Sequence, residues 1–183
     1  MRREQEMPGA YARLNQLWRE KPDELIKLLR ERRIRWRREP AVVRVEKPLR
    51  LDRARQIGYR AKQGFVVFRV RVRRGGFAKP RPDSGRRPKA LGVVKHKVNV
   101  TMLEEAINRV RKEHPNLHVI GGYPLTYDSM YYWFEVIAID PYHPSVYNDR
   151  QLRIPDPLRR RVVKRLLRRG VKPVGQVLQP FEP

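Results

Sequence analysis

At 183 residues the chain is long enough for one domain with a real core plus extensions, and too short for two full-sized domains with tails. Hydrophobic residues make up 40%, so a core can form, while 43 Lys+Arg against 19 Asp+Glu leave a net charge of +24. There is no cysteine, which excludes disulfides, thiolate chemistry and Cys-ligated zinc; Met1–Ala10 lacks an apolar signal-peptide region, and no stretch approaches the ~20 apolar residues of a membrane span, so a cytoplasmic setting is expected.

The predicted elements begin with a charged lead-in that becomes helical around Tyr11–Trp18, where Leu14, Leu17 and Trp18 share one face. A second helix starts at Pro22, with Asp23 and Glu24 suited to its positive N-terminus. Its apolar stripe is Leu25, Leu28, Leu29 and Trp36, its last turns are crowded with arginine, and Pro40 stops it. Ala41–Val45 reads as a short strand. Arg50–Ile57 reads as a short helix ended by Gly58. Gly64–Arg73 is the clearest strand. Val66, Phe68, Val70 and Val72 line one face, while Phe65 and Val67 open the other, which continues as Arg69, Arg71 and Arg73. The strand is thus expected to begin buried on both sides and to end with one cationic face.

Arg74–Gly92 carries Gly75-Gly76, Pro80, Pro82, Pro88 and many cations, and reads as a long loop without regular structure. Such a loop is anomalous in a compact domain unless it is functional. Thr101–Glu113 is a helix with a capping box made by Thr101 and Glu104; Leu103, Ala106, Ile107 and Val110 form its buried face. Leu117–Ile120 and Tyr131–Ile139 read as further strands, with Gly121–Ser129 as the hairpin loop between them. Tyr131–Ile139 is apolar on both faces except at Glu135, which places it centrally. Asp140–Pro157 is irregular, Leu158–Arg169 a basic helix capped by Gly170, and the remainder an extended tail. The fold class is α+β: a small, mostly antiparallel sheet with packed helices and long basic RNA-binding extensions. Three parts are expected: an N-terminal helical extension (1–35), a central domain (36–152) with the basic loop 74–92, and a basic C-terminal helix and tail (153–183).

A charge of this size repels itself in a compact monomer, so a partner must neutralise it. Nucleic acid, an anionic membrane or an acidic protein could do so. Arginine dominates among the cations, and its planar fork fits phosphate bidentately and stacks on bases, which favours nucleic acid. Membrane-surface segments instead combine cations with a strongly apolar helix face. No homo-oligomer is expected. The candidate contacts lie in the basic runs. They are Arg35, Arg37, Arg38, Lys47, Arg50, Arg53, Arg55, Arg60 and Lys62, then Arg69, Arg71, Arg73, Arg74, Gly75, Gly76, Lys79, Arg81, Arg86, Arg87 and Lys89, and finally Arg159, Arg160 and Arg161. The bland alternative is a solvated linker. Trp36 and Tyr59 lie among these cations and could stack on bases, although for Trp36 core packing is the preferred reading.

Catalysis is not expected. Asp140-Pro141 and His143-Pro144 are better explained as turn chemistry than as a nuclease centre. Gly75-Gly76 is not followed by Gly-Lys-Ser/Thr, so it makes no phosphate-binding Walker loop. No cofactor or metal is implied. With no helix-turn-helix, zinc finger or aromatic RNP signature, the chain is expected to recognise shape and backbone. A DNA-packaging protein and a nuclease are the rival readings.

One resemblance sharpens this. The runs Trp36-Arg37-Arg38-Glu39-Pro40-Ala41-Val42-Val43-Arg44-Val45-Glu46-Lys47-Pro48, Arg50-Leu51-Asp52-Arg53-Ala54-Arg55, Gly58-Tyr59-Arg60-Ala61-Lys62-Gln63-Gly64 and Arg69-Val70-Arg71-Val72-Arg73-Arg74-Gly75-Gly76 stand in order, followed by Asp140-Pro141-Tyr142-His143-Pro144-Ser145 and Asn148-Asp149-Arg150. Together they resemble the large-subunit ribosomal protein family fifteen-e of archaea and eukaryotes, over about Trp36 to Leu152. The resemblance implies a structural protein held against large-subunit rRNA, with neighbouring ribosomal proteins as further partners. It implies Arg37, Arg38, Arg50, Arg53, Arg55, Lys62, Arg71, Arg73 and Arg74 as rRNA contacts. The chain departs from it at both ends: the lead-in looks longer, and Pro155–Pro183 lacks the usual Gly- and Arg-rich tail. Both ends are expected to contact either different RNA or neighbouring ribosomal proteins.

Overall fold

The computed structural model describes residues 9–75, 79–85, 87–93 and 99–149, together with Lys164 and Arg168. Four strands form one sheet: β1 (Val42–Val45), β2 (Phe65–Arg73), β3 (His118–Tyr127) and β4 (Tyr131–Ile139). Their order is β1-β2-β4-β3, and every neighbouring pair is antiparallel. The helices are α1 (Ala10–Glu20), α2 (Asp23–Trp36), α3 (Leu51–Ile57), α4 (Met102–Glu113) and the single-turn α5 (Pro144–Tyr147). This is the expected α+β class. Of the predicted helix Leu158–Arg169, only Lys164 and Arg168 are described, and both are helical; the rest lies outside the described residues.

Alternation along β2 and β4 builds two different layers. The even residues Phe68, Val70 and Val72 join Phe134, Val136 and Ala138 in one buried cluster, which α4 covers with Ala106 and Val110. The predicted capping box starts α4: Thr101 Oγ1 accepts from the Glu104 N–H at 3.2 Å, and the Glu104 carboxylate accepts from the Thr101 N–H at 2.8 Å. These hydrogen bonds, from backbone first and side chain second, hold the Glu104 carboxyl below its ordinary value. The odd residues Val67, Trp133 and Ile137 form a second cluster with Trp36, Ala54, Tyr59, Tyr123 and Leu125. Trp36 and Trp133 pack with ring centroids 6.1 Å apart. Here Trp36 takes the core role rather than the base-stacking one. Tyr59 is buried too, edge-on to Phe65.

Gly58 ends α3 at φ +104, a left-handed conformation that costs glycine little. Gly64 matters for a second reason: a Cβ there would lie 2.5 Å from Val146 Cγ2, so its absence lets α5 close on the start of β2.

Three expectations are corrected. The stretch Gly121–Ser129 is not a hairpin loop: β3 runs to Tyr127, and the turn is only Asp128–Met130. Glycines and Pro124 suggest a loop, but β3 is an edge strand, where proline leaves no ladder hydrogen bond unmade. Register shifts at Val119/Gly121 and Pro124/Thr126 absorb the extra residues. Leu17 and Leu28, assigned to apolar stripes, are each 41% exposed, whereas Trp18 and Leu29 are buried. Each helix is covered on a narrower arc than its apolar pattern. Finally, the loop 74–92 contains a short 3₁₀ turn at Pro88–Ala90.

Candidate nucleic-acid interface

The basic residues fall into three structural groups. The first turns inward. Arg69 pairs with the Glu39 carboxylate, and its guanidinium lies 4.4 Å from the centroid of the Trp36 ring. Arg71 donates to the carbonyls of Trp36 and Arg37 and stacks over Tyr131 at 4.8 Å. Arg50 reaches Asp52 at 3.1 Å and covers Trp18 at 4.8 Å. Beside Arg69 in the register is Glu135, which is buried. Its carboxylate accepts from the Tyr123 hydroxyl at 2.6 Å and from the Leu49 N–H at 2.9 Å. Burial pushes the Glu135 carboxyl above its ordinary value, against the opposing pull of these hydrogen bonds and of Arg69. Burial, then the charge of Glu135, also pushes the Tyr123 hydroxyl far up. The end of β2 is therefore not a free cationic face: Arg69 and Arg71 bind the C-terminal end of α2 to the sheet.

The second group is tethered at the rim. Arg37 pairs with Asp128 at 2.7 Å. Burial raises the Asp128 carboxyl, but the N–H groups of Tyr131 and Met130 and the Arg37 guanidinium outweigh it and hold the group below its ordinary value. Arg60 and Lys62 converge on Asp149 at 3.1 and 2.9 Å. Arg74 donates to the Asp128 carbonyl at 3.3 Å. The third group points outward. Arg35, Arg38, Lys47, Arg53, Arg55, Arg73, Arg81, Arg87 and Lys89 are exposed, and Lys79 is half-buried. Gly75 takes φ +112, a conformation open to glycine. Gly76, Arg86, Arg159, Arg160 and Arg161 lie outside the described residues.

A family model described as Ribosomal L15 matches residues 9–175. The chain belongs to the ribosomal L15e family of the large subunit. Membership makes it a structural protein of the large ribosomal subunit, in a non-enzymatic class whose members bind rRNA and ribosomal proteins and reside in the ribosome. The family match extends well beyond the resemblance over Trp36–Leu152: it takes in α1, α2 and most of the basic C-terminal segment.

Some positions escape the reading of basic runs. Arg44 is exposed on β1, Arg33 donates to the Tyr127 carbonyl, and Arg109 donates to the Arg71 carbonyl at 2.8 Å. Arg44 could have been found from the alternation of β1, where it is the polar member of Val42–Val45. Arg33 stands in the arginine-crowded last turns of α2 and no local signal marks Arg109, while the partners of both are distant in the chain. Asp140 and His143 serve turns, as expected: Asp140 Oδ1 accepts from the Tyr142 N–H at 3.0 Å, and His143 Nδ1 accepts from the Ser145 N–H at 3.2 Å. They border a cleft of about 670 Å³ shared with Glu113 and His114, whose ring stacks on Phe68 at 4.5 Å. Among the described residues no group of three or more His, Asp or Glu could hold a metal ion, and no helix is long and apolar enough to cross a membrane.

Proposed function

We propose that this chain binds and stabilises folded large-subunit rRNA through Arg/Lys–phosphate contacts made by the outward and rim cations of residues 36–152. One observation carries this reading: five acids near the sheet are turned to internal work. Asp52, Asp128, Glu135 and Asp149 are nearly covered, and Glu39 holds Arg69. Arg35, Arg38, Arg53, Arg55 and Arg73 meanwhile stand exposed. These acids are thus committed to partners within the chain, while those arginines face outward.

The inward arginines hold the platform; the outward ones neutralise phosphates brought together when rRNA helices pack. Each phosphate contact releases condensed counterions, so six to ten contacts lower affinity about 10³–10⁵-fold between 50 and 200 mM salt. The loop 74–92 extends this surface from the end of β2, and the termini 1–35 and 153–183 add contacts to RNA or to neighbouring ribosomal proteins. Sucrose-gradient sedimentation of a native lysate at low and moderate salt tests the reading. Co-migration with the large subunit at both is expected. Sedimentation at the top of the gradient or with chromosomal DNA would overturn it, the latter in favour of DNA packaging.

A further inference from the structure

The turn joining β3 to β4 is held more firmly than a three-residue turn requires. Asp128 already satisfies it alone, because Oδ1 accepts from the N–H groups of Met130 at 2.7 Å and Tyr131 at 2.6 Å. Three arginines from elsewhere in the chain nevertheless grip the same turn. Arg33 and Arg37 come from the end of α2, to the Tyr127 carbonyl and the Asp128 carboxylate. Arg74 comes from the end of β2, to the Asp128 carbonyl at 3.3 Å.

An aromatic ladder ends at this turn. Phe134 lies in the core, Tyr132 packs beside it at 6.2 Å, and Tyr127 packs beside Tyr132 at 5.8 Å. The Arg74 guanidinium lies 5.8 Å from the Tyr127 centroid and 5.7 Å from that of Tyr132. The outer end of the ladder is open: Tyr127 is 56% exposed and its neighbour Met130 52%. A single exposed tyrosine needs no explanation. Here, however, the ring is anchored to the core through Tyr132, its backbone is fixed by Arg33, and one side of it meets a cation. That is a rigid π-surface in a positive field, where ordering on binding costs little.

We propose that Tyr127, with Arg74 against its ring and Arg33 and Arg37 fixing the turn behind it, is a stacking platform for an unpaired RNA base. The inference rests on the rRNA-binding reading and adds a subsite of a different kind. Phosphate contacts fix register along a duplex, whereas an exposed ring selects a nucleotide that has left its helix. Duplex DNA would offer such a ring no unstacked partner without first being opened.

The test uses the full chain, purified large-subunit rRNA and a salt series. Tyr127→Leu keeps apolar bulk and removes the π-face; Tyr127→Phe keeps the face and removes the hydroxyl. Tyr127→Leu is expected to bind about tenfold more weakly at every salt concentration, with an unchanged slope of log affinity on log salt, since stacking releases no counterions. Tyr127→Phe is expected to bind as the parent chain does. Short-wavelength ultraviolet irradiation of the parent complex should yield a nucleotide adduct on Tyr127. Parent-like binding by Tyr127→Leu, or an equal loss in Tyr127→Phe, overturns the stacking site while leaving rRNA binding intact. A parent chain without salt-dependent affinity for rRNA fails earlier, at the broader reading, and takes the subsite with it.

Discussion

The two faces of the sheet solve the same problem with opposite materials. Toward α4 the contacts are hydrocarbon: Phe68, Val70, Val72, Phe134, Val136 and Ala138 against Ala106 and Val110. Toward α2 and α3 the layer mixes tryptophan and tyrosine with Arg69, Arg71 and the buried Glu135. The first face is non-directional and tolerates volume-conserving change. The second is held by directed contacts in which each polar group needs its partner, because an orphaned buried charge or hydroxyl is costly. The difference teaches that arginine in this chain has two occupations. Some arginines build the body, and the others are free to meet phosphate.

Substitutions can break or sharpen that contrast. The largest effect is expected at Trp133, 1% exposed at the junction with Trp36: Trp133→Ala should cost about 3–5 kcal/mol of stability by denaturant unfolding. A loss under 1 kcal/mol would mean that the mixed layer is not a core. Next comes a paired comparison on β2. Arg69→Ala loses its ion pair and ring contact and should cost about 1–2 kcal/mol while leaving the salt dependence of rRNA binding unchanged. Arg73→Ala should leave stability alone and flatten the slope by about one. If the two behave alike, the division between inward and outward arginines fails. On the other face, Thr101→Ala removes one half of the capping box and should cost about 1 kcal/mol, read as a lowered midpoint with unaltered rRNA affinity.

The smallest effect is in pH dependence. Glu135 ionises less readily folded than unfolded, chiefly because it is buried. Its penalty is absent below the ordinary glutamate value of 4.5 and develops as pH rises from there through its raised folded value. Glu135→Gln removes that term. The stability of the variant relative to the parent should therefore increase with pH above 4.5, in thermal unfolding from pH 4 to 7. A constant difference would mean that Tyr123, Leu49 and Arg69 fully offset the burial.

Much of the fold was legible locally. The period-two run in β2, the capping box of α4, the left-handed Gly58 and the central position of β4 all depend on near neighbours or on hydrophobicity, and all appear where expected. Gly121–Ser129 misled because the same glycines and proline can end a strand or sit in an edge strand with bulges, and only the sheet order distinguishes the two. At the candidate interface the sign of the surface was legible, but the orientation of individual cations was not. Arg69, Arg71 and Arg73 are equivalent in the alternation pattern, yet the first two meet the end of α2 and the third passes beyond it.

By itself, then, the amino-acid order determined the charge, the helix ends, the apolar face of the sheet and the resemblance that the family match bears out. Those are properties of composition, of spacing along the chain and of ordered motifs. Tertiary structure alone decided which arginines lie inside, that Glu135 sits beneath them, and that Arg33, Arg37 and Arg74 converge on one turn with Tyr127 exposed at its edge. Periodicity assigns a side chain to a face, but whether that face meets water or a second layer depends on segments thirty to ninety residues away.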